Sequence, residues 1–266
     1  MYSCPDCQAP LRNLKCPSCN IQFDCKDGFP VLFSRHPRFQ TSASMGSVYD
    51  EIYAHREGVW EDQGRTLQFI DFFSNLLGGL SDSRILEVGC GEGFLLSRIR
   101  ASEKFAIDLS AEAVRNASGR AKAVFCLAMA ERLPFTSEYF DLVTSVGVME
   151  HFLDDREATN EIFRVLKPGG HYVALIHVHL SVPERIRQKT AEYIYPRFRP
   201  IKLAKWILSK FIRPISQPIQ RPYTRQTALA CLEGSGFAIE RVISTRTDPE
   251  APLIGPHVLT FIARKN

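Results

Sequence analysis

No run of about 18 consecutive apolar residues occurs in the chain, so no membrane-spanning helix is expected. The first ten residues, MYSCPDCQAP, lack a basic start and an apolar stretch behind it, so no secretory leader is expected. Both absences point to a reducing, cytoplasmic setting. There the eight cysteines would be thiols or metal ligands rather than disulfides. Compositional extremes are missing too. Of 266 residues, 45% are hydrophobic and 23% charged, as in an ordinary soluble globular protein. That length can bury one good core with a small appendage.

Three glycines crowd into RILEVGCGEGFLL, residues 84–96. RILEV reads as a buried strand, and GFLLSRIRAS as a helix with one apolar side. Gly89, Gly91 and Gly93 therefore occupy a strand-to-helix turn. Glycine there permits positive φ and close approach of a ligand, and the helix N-terminus offers free N–H groups. The spacing is G-x-G-x-G, tighter than the G-x-G-x-x-G of dinucleotide sites. It suits a nucleoside with an amino-acid tail better than a pyrophosphate. A tight turn beneath a buried strand would use the same glycines.

The following residues favour the ligand. KFAIDLS is a second strand ending in Asp108, about twenty residues after the loop, where a carboxylate can take both hydroxyls of a ribose. AERLPFTSEYFDLVTSVGVMEHF supplies a loop and a buried strand over 141–146. IFRVLKPGGHYVALIHV supplies a helix, a Pro-Gly-Gly turn and a long strand. Strands alternating with helices predict an α/β fold, a parallel sheet covered on both faces.

From about Ser44 to Asn266 the chain resembles the class I S-adenosylmethionine-dependent methyltransferases, in the broad group that includes the ubiquinone and menaquinone enzymes. The residues that carry the resemblance are LEVGCGEG, AIDLS, AERLPF, FDLVTSVGVMEHF and LKPGGHYV, in family order and spacing. The resemblance implies a Rossmann-like, mostly parallel seven-stranded sheet with helices on both faces. It implies contacts to S-adenosylmethionine from Glu87, Gly89, Cys90, Gly91, Gly93, Asp108, Leu109, Met129, Ala130 and Ser145. The glycine loop would pass the amino-acid part, Asp108 would hold the ribose, and Met129 and Ala130 would flank the adenine. Many relatives carry Asp where this chain has Met129. A thioether is a weak acceptor and packs against the ring instead. Cys90 reads as a small packing residue.

Methyl transfer needs a base only if the acceptor must lose a proton. The resemblance points to Glu150 and His151 as the catalytic candidates, and capping of the next helix is their plainer role. Some quinone relatives bind a divalent metal through Glu-x-x-Glu-His. Gly147 stands at the first of those positions, which argues against a catalytic metal here.

The N-terminus is a separate object. Cys4-x2-Cys7 and Cys16-x2-Cys19, eight residues apart, predict a tetrahedral structural zinc site. Cys25 lies off the pattern and reads as spare and half-buried. About 35 residues cannot hold a core unaided, so metal would supply the folding energy. Residues 1–34 resemble the small zinc ribbon fused to, or partnered with, several methyltransferases. Residues 35–45 read as a polar linker, and 46–266 as the methyltransferase domain. Ribbon and domain are expected to have separate cores. One or two helices precede the first strand; the resemblance implies that Tyr49, Tyr53 and Trp60 could close over the pocket from them, and ordinary helix packing is the plainer role for each.

Residues 181–225 form an insertion with eleven Lys and Arg, two Glu and six Pro. Within it, Lys202, Lys205, Lys210 and Arg213 share one helical arc with Trp206 inside it, and Ile201, Ile207, Leu208, Phe211 and Ile212 fill the other. A substrate lid, a membrane-surface contact and a nucleic-acid grip all fit such a helix. The leading function is methylation of a small or lipid-like acceptor by a cytoplasmic enzyme, peripheral to the membrane if the insertion binds lipid. An RNA base methyltransferase is the alternative, against which stands the absence of an Asn-Pro-Pro-Tyr-type motif. A non-catalytic cofactor-binding module is the third reading.

Overall fold

The computed structural model describes residues 1–55, 63–80, 83–178, 221–244 and 258–266. Two short strands, β1 (Cys25–Lys26) and β2 (Phe29–Pro30), pair antiparallel near the N-terminus. Helices α1 (Gln40–His55) and α2 (Gln63–Gly78) follow. Alternation then begins with β3 (Arg84–Val88), α3 (Phe94–Arg98), β4 (Glu103–Asp108), α4 (Ala111–Arg120) and β5 (Val124–Leu127). It continues with β6 (Phe140–Val146), α5 (Asp155–Val165) and β7 (Leu166–His177). After the insertion come α6 (Arg225–Gly234), β8 (Phe237–Ser244) and β9 (Val258–Lys265).

The large sheet has seven strands in the order β5-β4-β3-β6-β7-β9-β8. The first five run parallel, and β9 is antiparallel to both β7 and β8. Neighbouring residues bury on opposite faces. Leu86, Phe105, Val143 and Tyr172 join one core cluster; Ile85, Ala106, Leu142 and Val173 join the other. Two buried faces explain why these strands read as continuous apolar runs. Helix starts are set by side chains: Ser110 Oγ accepts from the Ala113 N–H at 3.1 Å, and Asp154 Oδ1 from the Glu157 N–H at 3.0 Å. Each such cap is worth about 1 kcal/mol.

Strand β3 has β4 on one side and β6 on the other. The connections diverge there, which opens a crevice at the carboxyl ends of the strands.

Several expectations change. The Pro-Gly-Gly stretch does not form a turn ahead of a strand. Strand β7 already begins at Leu166, and residues 167–170 bulge out of register between the Phe140–Leu166 and Leu142–His171 pairs. The bulge accommodates Pro168, which has no N–H to give. The polar stretch 35–45 is helical from Pro37 onward, because Pro37 opens a 3-10 turn capped by His36 that runs into α1. Cys25 is exposed rather than half-buried.

The N-terminal segment does not have a core of its own. Cys4, Cys16, Phe23 and Leu32 belong to the same buried cluster as Leu86 and Phe105. Its tail runs parallel to the sheet edge, pairing Val31 with Leu127, and the Leu32 N–H donates to the Leu127 carbonyl at 2.8 Å. At its other end, Tyr2 bridges Phe135. The segment thus covers the edge strand β5, whose free backbone groups would otherwise invite pairing with another chain.

Among the described residues, no helix is long and apolar enough to cross a membrane. Trp60, Trp206 and the amphipathic stretch 201–213 lie outside the described residues. Residues 221–225 are described, and Tyr223 is buried with its hydroxyl donating to Asp155 at 2.5 Å.

Candidate functional site

The crevice is a cavity of about 420 Å³. Its floor is the loop after β3. Gly91 lies at φ +49°, and a Cβ there would sit 3.0 Å from the Tyr53 hydroxyl. The Gly91 N–H donates to Asp108 Oδ2 at 2.9 Å, and the Ser110 N–H to Oδ1 at 3.0 Å. Both bonds hold the Asp108 carboxylate at the tip of β4. Burial raises its pKa, and these N–H groups work in the opposite direction. Gly93 has a different task. A Cβ on it would meet the Ala117 Cβ at 2.8 Å, so its bareness lets α4 pack against the loop.

Helix α1 forms a wall. Asp50 Oδ1 accepts from Ser110 Oγ at 2.6 Å and from the Glu112 N–H at 3.1 Å, which pins α1 to the start of α4. Tyr49 and Tyr53 line the cavity on either side of that pin. The Tyr49 hydroxyl is buried without a hydrogen-bond partner among the described residues, and burial with nearby Asp108 pushes its pKa up to about 12.

Of the residues named from the sequence, Glu87, Gly89, Cys90, Gly91, Asp108, Leu109, Ala130, Glu150 and His151 line the cavity. Met129 and Ser145 are buried but do not line it. Ser145 Oγ instead hydrogen-bonds the Tyr172 hydroxyl at 2.7 Å. Sequence reading missed three polar lining residues, Glu92, Glu131 and His177. Glu131 Oε1 accepts from the Leu153 N–H at 2.7 Å, tying the loop after β5 to the loop before α5.

The surprise is the partner of Glu150. It is His177, at the end of β7. Glu150 Oε1 accepts from His177 Nδ1 at 2.9 Å and also from the His177 backbone N–H. Burial pushes the Glu150 carboxyl up, yet these two donors outweigh it and hold it below the ordinary glutamate value. A polar residue closing an apolar parallel strand, as in YVALIHV, was the available signal.

Charge is one-sided. Glu87, Glu92, Asp108, Glu131 and Glu150 line the cavity together with two histidines, and no Lys or Arg does so among the described residues. Burial, then the neighbouring Asp108, pushes the Glu87 carboxyl up to about 8.

A second constellation lies in the N-terminal segment. The sulfur atoms of Cys4, Cys7, Cys16 and Cys19 all lie within 4.8 Å of one another. Cys7 and Cys16 are 3.5 Å apart, and the Cys19 N–H donates to the Cys16 sulfur at 3.3 Å. A tetrahedral ion with Zn–S bonds of about 2.3 Å needs sulfurs about 3.8 Å apart. The four cysteines could therefore hold a metal ion. Four ligands would close the site, so its role would be structural.

Residues 86–174 match the family model described as a methyltransferase domain. The chain is 33% identical over 152 residues to a ubiquinone biosynthesis O-methyltransferase of Alkalilimnicola ehrlichii, covering 50% of this chain and 62% of that one. It is 35% identical over 117 residues to a malonyl-acyl-carrier-protein O-methyltransferase of Salmonella typhimurium, covering 43% of this chain and 47% of that one. The chain thus spans about half the length of these curated relatives. Among solved structures, it superposes with a TM-score of 0.57 and 17% identity on a chain from a Haloferax volcanii complex between the Trm112 methyltransferase activator and a methyltransferase. That match covers 83% of this chain and 96% of the other. The strand order, the crevice and these likenesses together identify the fold as that of the class I S-adenosylmethionine-dependent methyltransferases.

Proposed function

We propose that the chain is an S-adenosylmethionine-dependent methyltransferase acting on a small-molecule acceptor. One observation carries the reading: a cavity at the fold's switch point that holds five carboxyl groups and, among the described residues, no Lys or Arg. Such a lining rejects polyphosphates and suits a ligand with positive charge and many donors. S-adenosylmethionine fits that description, with its sulfonium, ammonium and ribose hydroxyls. When bound, it supplies a methyl group already activated for displacement. Asp108 is assigned the ribose hydroxyls, the Gly89–Gly91 backbone the amino-acid part, and Leu109 and Ala130 the adenine. Positioning accounts for much of the rate, about 7–11 kcal/mol at best.

Oxygen is the proposed acceptor atom. The names of the two curated relatives above, both O-methyltransferases, support it. Zinc is the proposed metal at Cys4, Cys7, Cys16 and Cys19. The basic insertion is assigned to an anionic membrane surface, where each cation near the lipid contributes about 1 kcal/mol. Under that assignment, the double substitution Lys202→Glu, Lys205→Glu abolishes binding to anionic vesicles at low salt and leaves cofactor affinity unchanged. Retained vesicle binding would remove the assignment.

Calorimetry tests the cofactor reading. The chain is expected to bind one S-adenosylmethionine, and Asp108→Ala to weaken binding by about 1.5–3 kcal/mol, as for a lost charge-assisted hydrogen bond. A folded variant with unchanged affinity would take Asp108 out of the site.

A further inference from the structure

The pairing of Glu150 with His177 has a chemical consequence. A carboxylate can only accept, so the contact at 2.9 Å means that Nδ1 of His177 carries the proton. That leaves Nε2 as a lone-pair acceptor on a ring that lines the cavity. Glu150 is 2% exposed, and its second oxygen has no hydrogen-bond partner among the described residues. A buried carboxylate with a spare oxygen beside an imidazole stabilises the imidazolium once it forms. Two further contacts hold the pair in place. The Arg221 backbone N–H donates to the Glu150 carbonyl at 2.8 Å, and the imidazole edge lies against Gly147, where a Cβ would come within 3.2 Å of Cε1.

We infer that His177 is the general base of the proposed methyl transfer, that Glu150 is its positioning residue, and that the acceptor is a hydroxyl that enters protonated. This rests on the methyltransferase reading above. His177 Nε2 takes the hydroxyl proton as the acceptor oxygen uses a lone pair to bond the methyl carbon. The carbon–sulfur bond breaks, and its electron pair stays on sulfur, which leaves as a neutral thioether. The imidazolium then gives its proton to solvent, since the His177 side chain is 60% exposed. His151 lines the same cavity, but the pairing that fixes a ring tautomer here is the one between Glu150 and His177.

Two acceptors separate base catalysis from a structural role. Catechol is protonated at pH 8, whereas 4-nitrocatechol is largely ionised there. His177→Asn keeps a donor for Glu150 and removes Nε2. It is expected to slow methylation of catechol at least 100-fold, in the range for general-base catalysis. It should slow methylation of 4-nitrocatechol less than about fivefold and leave S-adenosylmethionine affinity within twofold. Glu150→Gln should slow methylation of catechol more than that of 4-nitrocatechol, because the imidazolium that forms on the base loses the carboxylate that faces it. A readout without cofactor is the histidine tautomer. Long-range proton–nitrogen spectra of the full chain at pH 8 should show the Nδ1–H form at His177, assigned by its disappearance in His177→Asn. An Nε2–H form, equal slowing of both acceptors, or no methylation of catechol by a chain that binds the cofactor would each overturn the assignment. Failure of the wild-type chain to bind S-adenosylmethionine would instead sink the methyltransferase reading itself.

Discussion

Two residues before the glycine loop, Glu87 is buried at the end of β3 with one carboxyl oxygen unpartnered among the described residues. Its pKa of about 8 stands against an ordinary value of 4.5. A raised folded value means that the fold holds the proton more tightly than the open chain does. Glu87 therefore contributes stability below pH 4.5, and that contribution is lost as pH rises toward 8. Without ligand, stability is expected to decline across this window, and Glu87→Gln should flatten the decline measured by urea unfolding. A cation in the cavity reverses the balance by favouring the ionised carboxylate. Binding of S-adenosylmethionine at pH 7 should then release a proton, seen as a calorimetric enthalpy that varies with the ionisation enthalpy of the buffer. Glu87→Gln should abolish that variation. Its persistence in the variant would place the proton elsewhere. Asp108 and the glycine loop are legible in the sequence because their geometry is local: a loop, then the tip of the next strand. His177 is not, because its role comes from a carboxylate 27 residues away that only the sheet brings to it.

At the scale of elements, the N-terminal segment departs most from its reading. Its cysteine spacing is legible, and the four sulfurs do converge. Its independence is not, because the core it shares is built from residues far along the chain, such as Phe105 and Phe135. Polar contacts add to that attachment: Lys26 pairs with Asp50 at 3.3 Å, and Arg115 with Asp27 at 2.6 Å. These pairs are exposed and contribute little alone; the shared core and the backbone pairing at Leu127 carry the coupling. Purified protein is expected to contain one zinc per chain. Cys16→Ser should lose it and Cys25→Ser should keep it. Because Leu127 leads directly into the Ala128–Ala130 end of the cavity, chelation should lower both thermal stability and S-adenosylmethionine affinity. Scanning calorimetry that shows the main transition unmoved after zinc removal would restore the picture of two separate cores.

For the whole molecule, alternating strands and helices make the parallel sheet readable before any coordinates, since period and order are properties of the chain itself. The bulge at residues 167–170 and the ribbon on the sheet edge are not readable, since each depends on a partner strand. The central claim is that this fold transfers methyl groups to small acceptors. The most direct measurement incubates the full chain and tritiated S-adenosylmethionine separately with soluble metabolites, a lipid extract and total RNA, then counts label in each. Label is predicted in the metabolite or lipid fraction, depending on cofactor and lost with Asp108→Ala. Label confined to RNA, or none in any fraction from a chain that binds the cofactor, would contradict the account.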